Sequence, residues 1–218
     1  MKIVITILDY GVGNVKSIQN ALEKVNVEVQ LSNERDVIIA SDGIILPGVG
    51  AFSHGMDSLH EYGLSEIIYD YVETGKPLLG ICLGMQMLLS ESEEFGLTKG
   101  LNLIPGKVVK IPVEQSSSEK LPHVSWNEIK STGEESWNKT ILEGLRDSED
   151  MYFVHSFIVE PENTDYILSR TNYAGYEFCS TVKLNNIFGC QFHPEKSADA
   201  GLKILENFVK IARNNKNG

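Results

Sequence analysis

The first hundred residues alternate short apolar runs with segments of helical spacing, and this alternation is the feature that most restricts the fold. Strands that are apolar throughout need cover on both faces, and helices between them provide it while keeping the strands parallel. The pattern therefore predicts an α/β fold with a mostly parallel central sheet and helices on both faces. The predicted strands are KIVITILDY, VEVQLS, GIILPG and PLLGIC, and the predicted helices include NVKSIQNALEKV and LSEIIYDYVETG.

From about residue 100 the pattern changes to closely spaced short strands, which predict antiparallel hairpins added to the same sheet. A final helix, AGLKILENFVKIARN, leads into NNKNG, a tail that is expected to fray. EQSSSEK, residues 114–120, is predicted to be a polar surface loop. No repeat or linker divides the chain, so residues 1–218 are predicted to form a single domain. The predicted later strands are GKVVKIP, YFVHSFIVE, YILSRT, FCSTVKL and IFGCQFHP.

The charge and the cysteine content restrict the class of function. The formal net charge is −11 and no cluster of Lys and Arg is present, which argues against nucleic acid, because phosphate backbones are held by clustered cations. The three cysteines include no C-x-x-C pair and the five histidines lack metal-ligand spacing, so we expect reduced thiols in the cytoplasm and no metal. No run has the length of a membrane span, and the apolar N-terminus does not have the form of a secretory signal.

The stretch LLGICLGMQML, residues 78–88, places Cys82 between two glycines where an apolar run gives way to a helical pattern. The stretch predicts a strand that ends at Gly80, then the reactive residue, then a helix over Met85 to Ser90. This arrangement is a nucleophile elbow, and its tight turn leaves no room for a Cβ on the flanking residues. A helix N-terminus favours a thiolate and offers N–H groups to an oxyanion. This window alone is equally compatible with a cysteine packed among small residues in a core.

A second stretch, GCQFHPEKS at residues 189–197, favours the reactive interpretation. His193 and Glu195 follow a short strand, and Pro194 fixes the chain between them. An imidazole beside an orienting carboxylate is what a thiol nucleophile requires. The two stretches together therefore predict nucleophilic catalysis by Cys82.

GICLGMQ and FHPE resemble the motifs of the class I (triad) glutamine amidotransferases, and the resemblance covers essentially the whole chain. It implies a flavodoxin-like fold. Within that class the chain is similar to the glutaminase subunits of imidazole glycerol phosphate synthase. The motifs that carry this second resemblance are DYGVGN (9–14), LPGVGAF (46–52), PHVSWN (122–127), YFVHSF (152–157) and QFHPEKS (191–197).

The resemblance implies that Cys82 attacks the side-chain amide of L-glutamine, that His193 protonates the departing ammonia and that Glu195 orients His193. The products are glutamate and ammonia, and no cofactor is implied. Gln86 lies one helical turn beyond Cys82, so both are expected to face one pocket. The implied oxyanion hole consists of Gly48, Val49, Gly50 and Leu83, and the implied substrate-binding residues are Gly50, Gln86, Glu94, His155, Ser156 and Phe157.

Many related enzymes have a glycine-rich loop at this position, whereas this chain has Val49. The imidazole glycerol phosphate synthase glutaminases have a valine there as well. A β-branched residue tolerates positive φ poorly, so turning its peptide toward the substrate is expected to require a partner. We therefore predict weak activity alone and strong activity in a complex. Each of these features also has a simpler interpretation. PGVG is typical of an ordinary tight turn, and SESEE around Glu94 is typical of a solvated helix end. His155 is equally compatible with a histidine in the core.

The implied partner is a (β/α)₈ cyclase subunit, which would form a heterodimer with this chain and use its ammonia to make imidazole glycerol phosphate in histidine biosynthesis. Ser125 stands where these subunits usually have glycine and is expected to restrict the backbone beside Trp126. Trp126 also suits a core aromatic, and Lys196 a surface ion pair. The residues that match positions at the family's docking face are Asn14, Trp126, Asn127 and Lys196.

Three alternatives remain open at the level of sequence. A paralogous glutaminase would supply ammonia for an amidino group on a nucleotide sugar in surface-polysaccharide biosynthesis, and Ser125 is the reason to consider it. A non-catalytic partner-binding module would use the same scaffold without turnover. A cysteine peptidase of similar fold is disfavoured by the residues that match a glutamine pocket.

Overall fold

The computed structural model describes residues 2–113, 120–133 and 137–217, so the predicted loop at 114–120 lies outside the described residues except for Lys120. These residues form a sheet of thirteen strands with six α-helices. The helices are α1 (Val15–Lys24), α2 (Arg35–Ala40), α3 (Phe52–Glu61), α4 (Leu64–Glu73), α5 (Leu83–Met87) and α6 (Ala198–Asn217). The strands are β1 (Val4–Leu8), β2 (Glu28–Ser32), β3 (Gly43–Leu46), β4 (Leu78–Ile81), β5 (Glu91–Ser92), β6 (Thr98–Lys99), β7 (Gly106–Lys110), β8 (His123–Ser131), β9 (Glu149–His155), β10 (Phe157–Pro161), β11 (Ile167–Tyr173), β12 (Tyr176–Leu184) and β13 (Ile187–Cys190).

The sheet has a parallel half and a mainly antiparallel half. Parallel pairing joins five strands in the order β2-β1-β3-β4-β13. The order continues through β12, β10, β7, β5 and β6, where all neighbours except β5 and β7 are antiparallel. β11 extends from β12 to β8, and β8 pairs with β9. The predicted α/β fold with added antiparallel strands is confirmed.

The apolar runs form the centre of this sheet because both of its faces are covered. Every residue of β3 and β4 is buried. Along β3, Ile45 packs into one core cluster with residues of α1 and α6, whereas Ile44 and Leu46 pack into another with residues of α3 and α4. Alternate side chains therefore reach opposite layers, as the period of a strand requires.

The helix after Cys82 is shorter than predicted. It ends at Met87 rather than Ser90 because the carbonyls that would continue it are occupied by another segment. The N–H of Leu101 donates to the Met87 carbonyl at 2.9 Å, and the N–H of Leu103 donates to the Leu88 carbonyl at 2.9 Å. Tertiary hydrogen bonds thus override a local helical pattern.

Two further predictions differ from the structure. YFVHSFIVE is divided at Ser156 into β9 and β10. The expected fraying tail instead continues α6 to Asn217, and Lys216 Nζ lies 2.9 Å from Asp42 Oδ2, which ties the last turn to the sheet. Among the described residues, no helix combines the length and the apolar content that crossing a bilayer requires.

Candidate active site

The predicted site lies where the parallel strands end. The segments after β1, β3, β4 and β13 carry the predicted residues, and carboxyl ends of parallel strands meet at one edge of the sheet. Cys82 directly follows β4, and its N–H donates to the Cys190 carbonyl of β13 at 2.8 Å. His193 follows the same neighbouring strand by three residues, so strand pairing brings the nucleophile candidate and the base candidate together.

Cys82 occupies a strained turn. Its φ is 56° and its ψ is −112°, a conformation that costs a non-glycine residue about 1–3 kcal/mol. The elbow also requires a glycine at 84, because an added Cβ there would lie 1.9 Å from the Leu46 carbonyl oxygen. A Cβ on Gly80 would lie 2.7 Å from the Gly84 carbonyl oxygen. The close helix approach predicted for this turn is present.

His193 and Glu195 form a buried pair. The Nδ1 of His193 lies 2.8 Å from Oε1 of Glu195, and the two side chains are 2% and 0% exposed. An ionised carboxylate only accepts hydrogen bonds, so Nδ1 donates and the other ring nitrogen is left for chemistry. Nε2 forms no hydrogen bond to another described residue. The hydrogen bond between a catalytic base and its nucleophile commonly tightens only when a substrate is bound.

The charge state of His193 follows from its neighbours. Burial lowers the pKa of His193, but its interactions with Cys82 and Glu195 outweigh burial and raise this pKa to about 10. The ring is therefore an imidazolium at neutral pH. An imidazolium beside a thiol favours the thiolate and holds a proton for a leaving group.

A pocket of 260 Å³ opens in front of this pair. It brings together Cys82, His193 and most of the predicted substrate-binding and oxyanion residues, while Glu195 lies behind His193. Pro122 and Val154 also line the pocket; both lie in motifs quoted above, but neither was predicted as a site residue. The predicted residues that line it are Val49, Gly50, Cys82, Leu83, Gln86, Glu94, His155, Ser156, Phe157 and His193.

The predicted oxyanion loop divides into a buried part and an exposed part. Gly48 is buried against the elbow, since an added Cβ would lie 2.9 Å from both Gly84 N and Leu83 Cβ. Val49 is 42% exposed and does not have a positive φ, whereas Gly50 has a φ of 97°. The positive φ is thus adopted by Gly50, which tolerates it, whereas Val49 keeps a negative φ.

The predicted glutamine-binding side chains are also tied to the protein. Glu94 Oε2 accepts a hydrogen bond from the N–H of Phe52 at 2.6 Å, at the first turn of α3, so Glu94 also holds the end of the loop that contains Val49. His155 Nδ1 donates to the Phe157 carbonyl at 2.8 Å. Burial is the main cause that lowers the pKa of His155 to about 3, which keeps the ring neutral.

The residues predicted at the docking face differ in how exposed they are. Trp126 is 50% exposed and stands edge-on to Tyr152 with ring centroids 5.9 Å apart, and Lys196 Nζ lies 5.8 Å from the Tyr152 ring centroid. Asn14 is half-buried at the N-cap of α1. Asn127 points inward instead, with Oδ1 2.8 Å from His123 Nε2. Its assignment to the docking face stays a prediction.

Ser125 also points inward, because residues of β8 alternate between the two faces of the strand. Its Oγ lies 2.9 Å from His123 Nε2, and His123 Nδ1 lies 3.0 Å from His155 Nε2. The serine therefore extends a buried hydrogen-bonded chain that ends at the pocket. Its effect is exerted through this chain, in addition to any restriction of the backbone beside Trp126.

A larger surface groove of 920 Å³ lies along β11 and β12. Its described lining includes neither a cysteine nor a histidine. The chemistry therefore belongs to the smaller pocket around Cys82.

The sequence also matches the family model for glutamine amidotransferase class-I over residues 6–212.

The chain is a class I glutamine amidotransferase. This membership makes it a glutamine-hydrolysing enzyme and confirms the resemblance seen in the sequence.

Curated relatives of this amidotransferase match it over nearly the full length of both chains. Imidazole glycerol phosphate synthase subunit HisH 1 of Legionella pneumophila (strain Lens) is 45% identical over 210 residues, which cover 95% of this chain and 99% of the relative. Subunit HisH of Syntrophotalea carbinolica is 45% identical over 207 residues, with 94% and 98% covered. Subunit HisH of Aquifex aeolicus is 44% identical over 210 residues, with 94% and 96% covered.

Solved structures support the fold of this amidotransferase. A glutamine amidotransferase structure superposes with a TM-score of 0.72 at 18% identity, covering 96% of this chain and 98% of that one. PurLQS from Thermotoga maritima superposes with a TM-score of 0.69 at 21% identity, covering 96% and 99%.

A change in the pH profile is expected when Glu195 is replaced by glutamine. Because the raised pKa of His193 keeps the imidazolium up to about pH 10, wild-type glutamine hydrolysis should decline only as the pH rises through that value. Removing the carboxylate lowers this pKa, so the alkaline decline should move to lower pH and activity at pH 8 should fall by about 10²-fold. The measurement is kcat/KM for glutamine from pH 6 to 11.

Glu177→Gln serves as the matched control, since it removes a carboxylate whose side chain is 59% exposed on β12. Its profile should coincide with that of the wild type. An alkaline limb that stays in place in Glu195→Gln would show that Glu195 does not set the charge of His193.

Proposed function

We propose that this amidotransferase is the glutaminase subunit of an imidazole glycerol phosphate synthase. In this function it hydrolyses L-glutamine and passes ammonia to a cyclase subunit during histidine biosynthesis. The observation that carries the proposal is the 44–45% identity to curated HisH subunits over 94–95% of the chain. The buried His193–Glu195 pair beside Cys82 argues against a non-catalytic module, because a binding protein has no need of a strained thiol next to an imidazolium.

The proposed reaction begins with attack of the Cys82 thiolate on the side-chain amide carbon of glutamine. Backbone N–H groups of Leu83 and of the loop Gly48–Gly50 hold the oxyanion that forms. The C–N bond then breaks as His193 gives its Nε2 proton to the departing nitrogen, and Glu195 keeps the ring oriented. Water, activated by the now neutral His193, hydrolyses the γ-glutamyl thioester to glutamate.

The proposed partner docks on the exposed surface formed by Val49, Val124, Trp126, Tyr152 and Lys196. Val49, Val124 and Trp126 are each between 42% and 51% exposed, which is high for large apolar side chains. Exposed apolar side chains of this kind, close to a pocket and joined by an aromatic pair, are typical of a protein interface. Because Val49 belongs to both this surface and the pocket, a docked subunit would press directly on the oxyanion loop.

Activation by the partner tests the proposal. Adding a cyclase subunit of the histidine pathway with its nucleotide substrate should raise glutamine hydrolysis by about 10²-fold or more, the effect of completing an oxyanion hole. In Val49→Gly the loop turns more easily, so basal hydrolysis should rise and the activation ratio should shrink. Glutamate release is measured in each mixture.

The runner-up function is distinguished in the same assay. Activation by a nucleotide-sugar amidotransferase partner, with no response to any histidine-pathway cyclase, would overturn the proposal and leave the glutaminase chemistry standing.

A further inference from the structure

Gln191 is a buried polar residue that the proposed reaction does not yet use. It directly follows β13, two residues before His193, and it is 0% exposed. Its N–H donates to the Ser180 carbonyl at 2.9 Å, which fixes its backbone to the neighbouring strand. A buried amide side chain is costly unless its donors and acceptors are paired, so its contacts indicate what it is there to do.

The side-chain amide of Gln191 contacts two residues of the pocket. Its Nε2 lies 3.8 Å from the Cys82 sulfur and donates to it, and its Oε1 accepts from Gln86 Nε2 at 3.0 Å. An N–H donor aimed at sulfur stabilises the thiolate more than the thiol. Gln191 therefore stands between the nucleophile and a residue that lines the substrate pocket.

The direction of these hydrogen bonds follows from one backbone carbonyl. The Phe157 carbonyl can only accept, and Gln86 Nε2 lies 3.1 Å from it, so the nitrogen of the Gln86 amide faces this carbonyl. The same nitrogen faces Gln191 and must meet its oxygen, because two amide nitrogens would both be donors. That leaves the Gln191 nitrogen toward Cys82.

The same chain of bonds orients the Gln86 oxygen. Both N–H groups of the Gln86 amide are used, one by Phe157 and one by Gln191. Gln86 lines the pocket, and its Oε1 forms no hydrogen bond to another described residue, so this oxygen is left as an acceptor for a substrate N–H. Without Gln191 the amide would lose one of the two contacts that fix its orientation.

We propose that Gln191 is a positioning residue of glutamine hydrolysis, which donates to the Cys82 sulfur and holds the Gln86 amide with its oxygen toward the substrate. The second half of this proposal rests on the proposed glutaminase function. The first half concerns the thiol alone and holds for any electrophile that reaches Cys82.

The thiol is tested by alkylation of the isolated chain with iodoacetamide across a pH range, with Cys82 labelling followed by peptide mass spectrometry. In Gln191→Met, which keeps the length of the side chain and removes both polar atoms, labelling at pH 7 should slow by about 3- to 10-fold and its pH midpoint should rise. Ser180→Ala is the matched control. It deletes a fully buried hydroxyl that bonds Ser169 and contacts neither Cys82 nor Gln86, so its labelling profile should equal that of the wild type.

Glutamine kinetics test the second half. Gln191→Met should raise KM for glutamine roughly tenfold, since Gln86 is left with an unpaired buried N–H and reorients. Gln191→Glu retains an acceptor for Gln86 and removes the amide donor to sulfur. It should therefore slow alkylation while leaving KM within about twofold of the wild type. A purely structural role would not separate these two readouts.

A folded Gln191→Met with wild-type alkylation and wild-type KM overturns the proposal. If the methionine variant does not fold, Gln191→Glu decides, and an unchanged alkylation profile in that variant overturns the proposal equally. Failure of the proposed function gives a different result: a glutamine-mimicking electrophile would then leave wild-type Cys82 unlabelled with the partner present, although iodoacetamide still reports on the thiol.

Discussion

Replacing Cys82 with alanine is expected to lower glutamine turnover by about 10⁴-fold or more, because every bond-forming step of the proposed reaction passes through its sulfur. The substitution keeps the Cβ and therefore adds no strain at the φ of 56°. The hydrogen bonds of the sulfur with the Val154 carbonyl and with Gln191 are long, at 3.8 Å each, so losing them should cost little stability. Turnover is measured with the partner present and the unfolding temperature in parallel.

Cys179→Ala is the matched control, since Cys179 is another buried thiol, 3% exposed, in β12. Its turnover should stay within about twofold of the wild type. A glutamine-mimicking electrophile should label Cys82 in the wild type and in this control. Substantial turnover in folded Cys82→Ala would refute nucleophilic catalysis by this residue.

The second large effect is expected on stability when Gly84 is replaced by alanine. The new Cβ would lie 1.9 Å from the Leu46 carbonyl oxygen, a backbone atom that ends a fully buried strand and cannot move aside cheaply. We expect the free energy of unfolding to fall by more than about 3 kcal/mol, the range of severe overpacking, or the chain not to fold. Urea denaturation measures the loss.

Gly133→Ala provides the comparison for Gly84→Ala. A Cβ on Gly133 meets no described atom within 4 Å, and its φ is not in the positive range. Its unfolding free energy should change by less than about 0.5 kcal/mol. If Gly84→Ala were as stable as Gly133→Ala, the close packing of α5 on β3 would be incorrect.

The parallel half of the fold was predictable because its signal is local. Runs such as GIIL are apolar at every position, and a strand of this kind can only lie between two layers. The turn at Cys82 could be predicted for the same reason, because the turn itself leaves no room for a Cβ on Gly80 or Gly84. The early end of α5 was not readable, because it depends on hydrogen bonds from residues beyond the next turn.

The polar network around the pocket also escaped the sequence. The pairing of Gln191 with Cys82 and Gln86 depends on side chains that are more than 100 positions apart for both contacts. QFHPEKS contains Gln191 at a fixed spacing from His193, which is the only local signal that pointed to it. Asn127 points inward because the side chains of β8 alternate between the two faces of the strand. The motif PHVSWN was not predicted to be a strand, so this direction could not be anticipated.

The pairing of β4 with β13 has a consequence for how this enzyme can be controlled. Cys82 directly follows β4 and His193 follows β13 by three residues, so both are carried by paired strands whose spacing of about 4.8 Å is fixed by backbone hydrogen bonds. The loop with Val49 has no such restraint on its exposed side. In the proposed function, a partner docked on Val49 would therefore change the oxyanion loop without changing the spacing of the strands that carry the reacting groups.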